Sequence, residues 1–307
     1  MYKSIQVLKQ FWGYDSFRPG QAEVIDSILS GHDTLALMPT GGGKSITFQV
    51  PALSKPGICL VISPLVALMK DQVKNLQKRG ILSVFISSEM PRWEILQQLD
   101  NCILGDYKFL YISPERISSD LFQEKLKPLS AKVNLLVVDE AHCISQWGND
   151  FRRDYRLIAD IRDAIPRVPV IAVTASATAA VVADICEQLH FRKGYRVFKT
   201  SFERKNLSFV VRKTDNKLNE LCHILSSVQG SAVVYSRTRR GVEEYAGKLR
   251  AAGISAEYFH AGLDPVIKTE RQTDWLKGNT RVLVATNAFG MGIDKGDVRL
   301  VIHTEFP

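Results

Sequence analysis

The chain has 307 residues, 45% of them apolar and 23% charged, and carries a net charge of +8. That is enough apolar material for two ordinary cores, which excludes an intrinsically disordered chain. The positive balance suits an anionic partner such as nucleic acid, and no uninterrupted apolar stretch is long enough to span a membrane.

In chain order, the N-terminal MYKSIQVLKQFWGYDSF lacks the apolar run and small-residue cleavage site of a signal peptide. Short β-branched apolar runs then alternate with helical patterns. Strands are predicted at Thr34–Met38, Ile58–Ser63, Ser83–Ile86, Phe109–Ile112, Leu135–Asp139 and Val170–Thr174, with helices between several of them, including Leu65–Lys78 and Ala179–Leu189. This alternation predicts a mostly parallel sheet wrapped by helices. The charged stretch Thr200-Ser-Phe-Glu-Arg-Lys-Asn206 breaks the pattern and places the domain boundary, giving a first domain over 1–200 and a second over 201–307. In the second, strands are predicted at Ala232–Tyr235, Ala256–Phe259, Val282–Ala285 and Leu300–His303, separated by helices at Asn216–Ser227, Arg239–Ala251 and Pro265–Leu276. The reading is two α/β domains in tandem, alike in architecture only. Cys59, Cys102, Cys143, Cys186 and Cys222 form no CxxC pair, so they read as reduced core residues and not as a zinc site.

Two segments carry chemistry. Thr34–Met38 leads into Pro39-Thr-Gly-Gly-Gly-Lys-Ser45, a strand, a glycine loop and the start of a helix at Ser45. Thr40, Gly41, Gly42 and Gly43 let backbone N–H groups close around phosphates, and the helix N-terminus adds favourable partial charge. Lys44 reaches the β- and γ-phosphates and the Ser45 hydroxyl binds Mg²⁺. The generic pattern wants glycine where this chain has Met38. The second segment, DEAHCISQWGNDFRRDY from Asp139 to Tyr155, opens with two carboxylates behind an apolar run. Asp139 is expected to hold Mg²⁺, directly or through water, and Glu140 to act as general base toward the attacking water. Together these predict an NTPase.

Asp139-Glu-Ala-His142 is a signature of superfamily 2 helicases. The sequence from Phe11 to Gln21, FWGYDSFRPGQ, followed by MPTGGGKS, DEAHCISQWG and AFGMGIDK, resembles the RecQ family of DNA helicases, from about Phe11 to the last residue and with motifs in the family's order. Met38 fits that family's form of the phosphate loop. The resemblance implies two tandem RecA-like P-loop domains, each a parallel sheet flanked by helices. It implies that Tyr14 and Arg18 sandwich an adenine whose edge Gln21 binds, so that the cofactor pair is ATP and Mg²⁺. Ser63, Pro64 and Leu65, and Ser113-Pro-Glu-Arg116, resemble motifs that grip a nucleic-acid backbone. Thr174, Ser176 and Thr178, in the variant run TASAT, resemble the motif that links hydrolysis to domain movement. In the second domain, Tyr235 and Arg237, and His260 to Leu263, resemble further nucleic-acid contacts. Thr286, Gly290, Gly292 and Asp294 resemble a loop facing both DNA and nucleotide, with Asp294 at the ribose.

The aromatics behind DEAH resemble the same family's aromatic-rich loop. Trp147 and Phe151 would stack on unpaired bases, a contact worth roughly 1–3 kcal/mol per base, and Arg152 and Arg153 would meet phosphates. A base stacked on Trp147 would shift the nearby carboxylates and make hydrolysis depend on DNA. The function implied is an ATP-dependent DNA helicase that moves 3′ to 5′ on single-stranded DNA and unwinds forked duplexes. A monomer with no membrane association is expected, in the cytoplasm, or with the nucleoid if the source is bacterial, serving DNA repair and recombination. Two alternatives are an RNA helicase on the same core and a nucleic-acid-binding module without ATP turnover; intact Lys44, Asp139 and Glu140 speak against the second. Val301-Ile-His-Thr-Glu-Phe-Pro307 leads toward the family's final motif, whose arginines would face the γ-phosphate, and many members carry zinc-binding and winged-helix parts after it. Residues 1–307 alone are therefore expected to bind ATP and DNA but to unwind poorly.

Overall fold

The computed structural model describes residues 2–87, 89–145, 153–201, 206–290, 293 and 295–306. The chain divides into two compact units, Met1–Lys205 and Asn206–Pro307, separated within the charged stretch Thr200–Asn206.

The first unit is built on β1 (Thr34–Leu37), β2 (Ile58–Ile62), β3 (Ser83–Ile86), β4 (Phe109–Ile112), β5 (Val133–Asp139), β6 (Val170–Thr174) and β7 (Arg196–Lys199). Their order across the sheet is β3-β4-β2-β5-β6-β1-β7, with every pairing parallel. Side chains alternate between two cores. Leu35, Leu37, Leu60, Ile62, Leu136 and Val138 pack on one face, while Ala36, Cys59, Val61, Leu135 and Val137 pack on the other. Because helices cover both faces, the central strands are apolar throughout instead of alternating with polar residues. Four cysteines are buried in this unit and Cys222 of the second unit is half-buried; all five are free thiols.

The second unit carries β8 (Ser231–Tyr235), β9 (Ala256–Phe259), β10 (Val282–Ala285) and β11 (Val298–His303) in the order β11-β8-β10-β9, again all parallel. Helices Lys217–Ser227 and Arg239–Ala251 pack Leu221, Leu225, Val242 and Leu249 against one face. On the other, Trp275 of helix Pro265–Lys277 packs with Val233, Leu283 and Phe289, and its indole N–H donates to the Ala232 carbonyl at 3.2 Å.

Several boundaries differ from the sequence reading. β5 begins two residues earlier, at Val133, and β11 at Val298. β1 ends at Leu37 and the following helix starts at Lys44, one residue before Ser45. β7 was not expected at all. It is an edge strand whose residues are mostly exposed, so it shows none of the apolar signal that burial imposes; backbone pairing to β1 alone places it. Among the described residues, no helix is long and apolar enough to cross a membrane.

Candidate active site

In a parallel sheet all strands present their carboxyl ends at one edge, and ligands of open α/β sheets bind there. In the first unit this edge brings together the residues that follow β1, β6, β5 and β2, which are neighbours in that order. Met38 closes β1. Its N–H still donates to the Thr174 carbonyl at 3.1 Å and its side chain lies in the core, so the loop proper begins at Pro39. Gly42 N–H turns back to the Pro39 carbonyl at 3.0 Å, and a Cβ on Gly42 would sit 2.9 Å from that oxygen. Gly43 has a left-handed φ of 77°, and a Cβ there would meet the Gln21 amide nitrogen at 2.4 Å. Helix Lys44–Leu53 starts with no side-chain cap, which is the setting in which first-turn N–H groups receive an anion.

Arg18 and Gln21 are built into the back of this loop. Arg18 Nη1 donates to the Gly41 carbonyl at 2.9 Å. Gln21 accepts from Arg18 N–H at 2.9 Å and donates through Nε2 to the Gly43 carbonyl at 3.0 Å. Gln21 therefore supports the phosphate loop directly, a role its sequence position did not reveal. Tyr14 is 54% exposed, open for a ring to stack on it.

β5 delivers Asp139 to the same edge, paired with Val173 of β6. Asp139 Oδ2 accepts from Ser63 Oγ at 3.1 Å and Oδ1 from Glu140 N–H at 3.0 Å. The protein packed around Asp139, and then the Glu140 charge, push its carboxyl up to about 6 against the pull of Lys44. Glu140 takes a left-handed φ of 47°, a conformation that costs a non-glycine residue about 1–3 kcal/mol and clusters at functional sites. That bend sets Glu140 Oε1 3.9 Å from Lys44 Nζ and Oε2 3.4 Å from His142 Nδ1. His142 Nδ1 is in turn 2.8 Å from Thr174 Oγ1. Buried Tyr155 donates to the Asp139 carbonyl at 2.9 Å. Ser45 Oγ accepts from Gln72 Nε2 at 3.2 Å.

The donor set fits Mg²⁺. A hydroxyl on Ser45 and a carboxylate on Asp139 are hard oxygen ligands, of the kind that leave room for phosphate oxygens and water. Among the described residues, no group of three or more His, Cys, Asp or Glu is placed to hold a metal ion.

The second sheet also gathers its candidate residues at its carboxyl edge. Tyr235 ends β8, His260 follows β9, and Thr286 follows β10. Tyr235 Oη donates to the Phe289 carbonyl at 2.9 Å, and its ring stacks on His303 with centroids 5.0 Å apart. His260 and Thr286 are buried, His260 Nε2 lying 3.0 Å from Glu243 Oε1. Arg237 is exposed and reaches the Phe306 carbonyl through Nη2 at 2.8 Å. Trp147, Phe151, Arg152, Gly292 and Asp294 lie outside the described residues, as does the side chain of Arg153.

Two family models match the chain: DEAD/DEAH box helicase over residues 18–185 and Helicase conserved C-terminal domain over residues 216–307. The chain is 40% identical over 305 residues to the ATP-dependent DNA helicase RecQ of Haemophilus influenzae, covering 99% of this chain and 49% of that protein. It is 41% identical over 312 residues to the RecQ of Bacillus subtilis, covering 100% of this chain and 52% of that protein. The chain thus spans about half the length of these curated relatives. A structure of the DUF1998 helicase MrfA bound to DNA superposes with a TM-score of 0.78 at 16% identity, covering 100% of this chain and 47% of that one. The two parallel-sheet domains have the RecA-like helicase fold.

Proposed function

We propose, since the chain belongs to the DEAD/DEAH box helicase family, that it is the motor core of an ATP-dependent DNA helicase of the RecQ type. The observation that carries this reading is the convergence of Lys44, Glu140 and Asp139 at one sheet edge behind an uncapped, glycine-lined helix start. Relatives at about 40% identity named as DNA helicases support DNA as the polymer, while one at 39% carries the name of an RNA helicase, so a direct test of DNA against RNA decides the polymer.

In this reading Tyr14 and Arg18 hold the adenine, with Gln21 at its edge, while Thr40 to Lys44 hold the phosphates. Ser45 and Asp139 are the residues that would hold Mg²⁺, which supplies charge neutralisation to the phosphates when bound. Glu140 takes a proton from the attacking water, and Lys44 stabilises charge on the transferring phosphoryl group. His142, in contact with both Glu140 and Thr174, connects the base to the end of β6. Trp147 and Phe151 stack on bases and Arg152 and Arg153 meet phosphates. Tyr235, Arg237, His260 and Thr286 face the nucleic acid from the second unit, with Asp294 at the ribose. Movement is 3′ to 5′ on single-stranded DNA, by a monomer, in the service of repair and recombination. Residues 1–307, about half the length of the relatives, bind ATP and DNA but unwind forked duplexes poorly beside a longer form.

The test is Glu140→Gln in a form that hydrolyses ATP. Nucleotide affinity should stay near that of the parent while turnover disappears, because an amide cannot take the water's proton. Normal hydrolysis would place the base elsewhere. In the parent, single-stranded DNA should stimulate hydrolysis and RNA of the same sequence should not; the reverse result would make the polymer RNA.

A further inference from the structure

One polar chain at this edge has no part in the reaction as described so far. Gln72, on helix Val66–Gln77, donates from Nε2 to Ser45 Oγ at 3.2 Å. Its other end is held from below: Gln72 Oε1 accepts from Gln49 Nε2 at 2.9 Å, and Gln49 Nε2 also lies 3.2 Å from Tyr111 Oη. Gln49 is 3% exposed and Tyr111 2%, so the chain is braced in the core and ends at the surface of the site. The same segment begins at Ser63, whose hydroxyl holds Asp139 Oδ2. One stretch of chain, Ser63 to Gln72, therefore restrains both side chains read as Mg²⁺ ligands.

A serine hydroxyl has three staggered rotamers, one proton and two lone pairs. A hydrogen bond accepted from Gln72 selects one rotamer and occupies one lone pair, leaving the other for a cation. A neutral amide does this without the repulsion a lysine would exert on the ion. Side chains that hydrogen-bond a metal ligand from behind orient it and set metal affinity.

We propose that Gln72 is a positioning residue for the metal site, fixing the Ser45 hydroxyl for Mg²⁺ with Gln49 and Tyr111 as its brace. The proposal rests on the reading of Ser45 as a ligand. It is tested by the affinity of residues 1–307 for a fluorescent, non-hydrolysable ATP analogue, measured in EDTA and then across a Mg²⁺ titration. The parent should bind more tightly with Mg²⁺, and Ser45→Ala should lose much of that gain; if either fails, the reading of Ser45 as a metal ligand fails and the proposal with it. Gln72→Met, nearly the same shape but without a donor, should lower the Mg²⁺-dependent gain about fivefold, the worth of one hydrogen bond. Affinity in EDTA and the melting temperature should not change. Gln72→Asn, which keeps the amide but withdraws it, should do the same and serves if Gln72→Met does not fold. Placed in the Ser45→Ala background, either change should add nothing. With the parent and Ser45→Ala behaving as stated, the positioning role is overturned by an unchanged gain in the Gln72 variants, by an equal loss in EDTA, or by additive losses in the double variant.

Discussion

The residues proposed to do chemistry are those whose removal should separate binding from turnover. Lys44→Ala deletes the cation beside Glu140, which the proposed function assigns to the transferring phosphoryl group. It should abolish ATP hydrolysis while the circular dichroism spectrum and melting temperature stay those of the parent; undiminished hydrolysis would show that the phosphate loop is not the site. Trp147→Ala should act differently. Hydrolysis without DNA should barely change, whereas stimulation by single-stranded DNA should fall strongly; a lowered melting temperature and poor solubility would instead mark Trp147 as a core residue. That Lys44, Asp139 and Glu140 gather at one sheet edge was legible in the sequence, because a glycine loop between strand and helix and an acidic strand end are short local patterns. Gln49, Gln72 and Tyr155 were not. Each is an ordinary polar residue within a regular element, and its partner is set by the fold: Gln72 meets Ser45 across 27 positions, with no local pattern to announce it.

At the scale of elements, the amino ends of β1 and β6, opposite the site, are pinned by one buried carboxylate. Asp33 is 1% exposed. Its oxygens accept from Arg192 Nη2 at 2.7 Å, Arg192 Nε at 3.0 Å, Arg162 Nη2 at 3.1 Å and the N–H groups of Arg192 and Val170 at 2.8 and 2.9 Å. Burial pushes the Asp33 carboxyl up, but the hydrogen bonds from Arg192 and Val170 and the charge of Arg162 outweigh it and hold the group below its ordinary value. A depressed carboxyl stabilises the fold fully above its unfolded value, about 3.9, and that contribution is lost as pH falls through the lower folded value. Asp33→Asn leaves Arg162 buried without its counter-charge and should cost about 3–5 kcal/mol at neutral pH, read by urea unfolding of the first unit. The gap between parent and variant should narrow only below about pH 3.9; a gap that is flat down to pH 2 would mean that the charge contributes nothing. Covered strands such as β2 and β5 announce themselves as unbroken apolar runs. The Asp33 network and β7 do not, since one depends on partners 129 and 159 positions away and the other on backbone pairing alone.

The whole molecule is ordered differently in space and along the chain. β1 lies between β6 and β7, paired with Val170–Thr174 and Arg196–Lys199 at positions far downstream. The phosphate loop at Pro39 to Ser45 is thus among the first segments a ribosome releases, yet its supporting strand has no neighbour until the end of the first unit has been made. Contacts of such long sequence separation form late, and apolar strands left waiting for them are prone to aggregate. A nascent chain stopped before Val170 should carry every residue of the loop and still show no saturable nucleotide binding, while one stopped after Lys199 should bind. The nucleotide site, written early in the message, can be assembled only as one of the final acts of the first unit's folding.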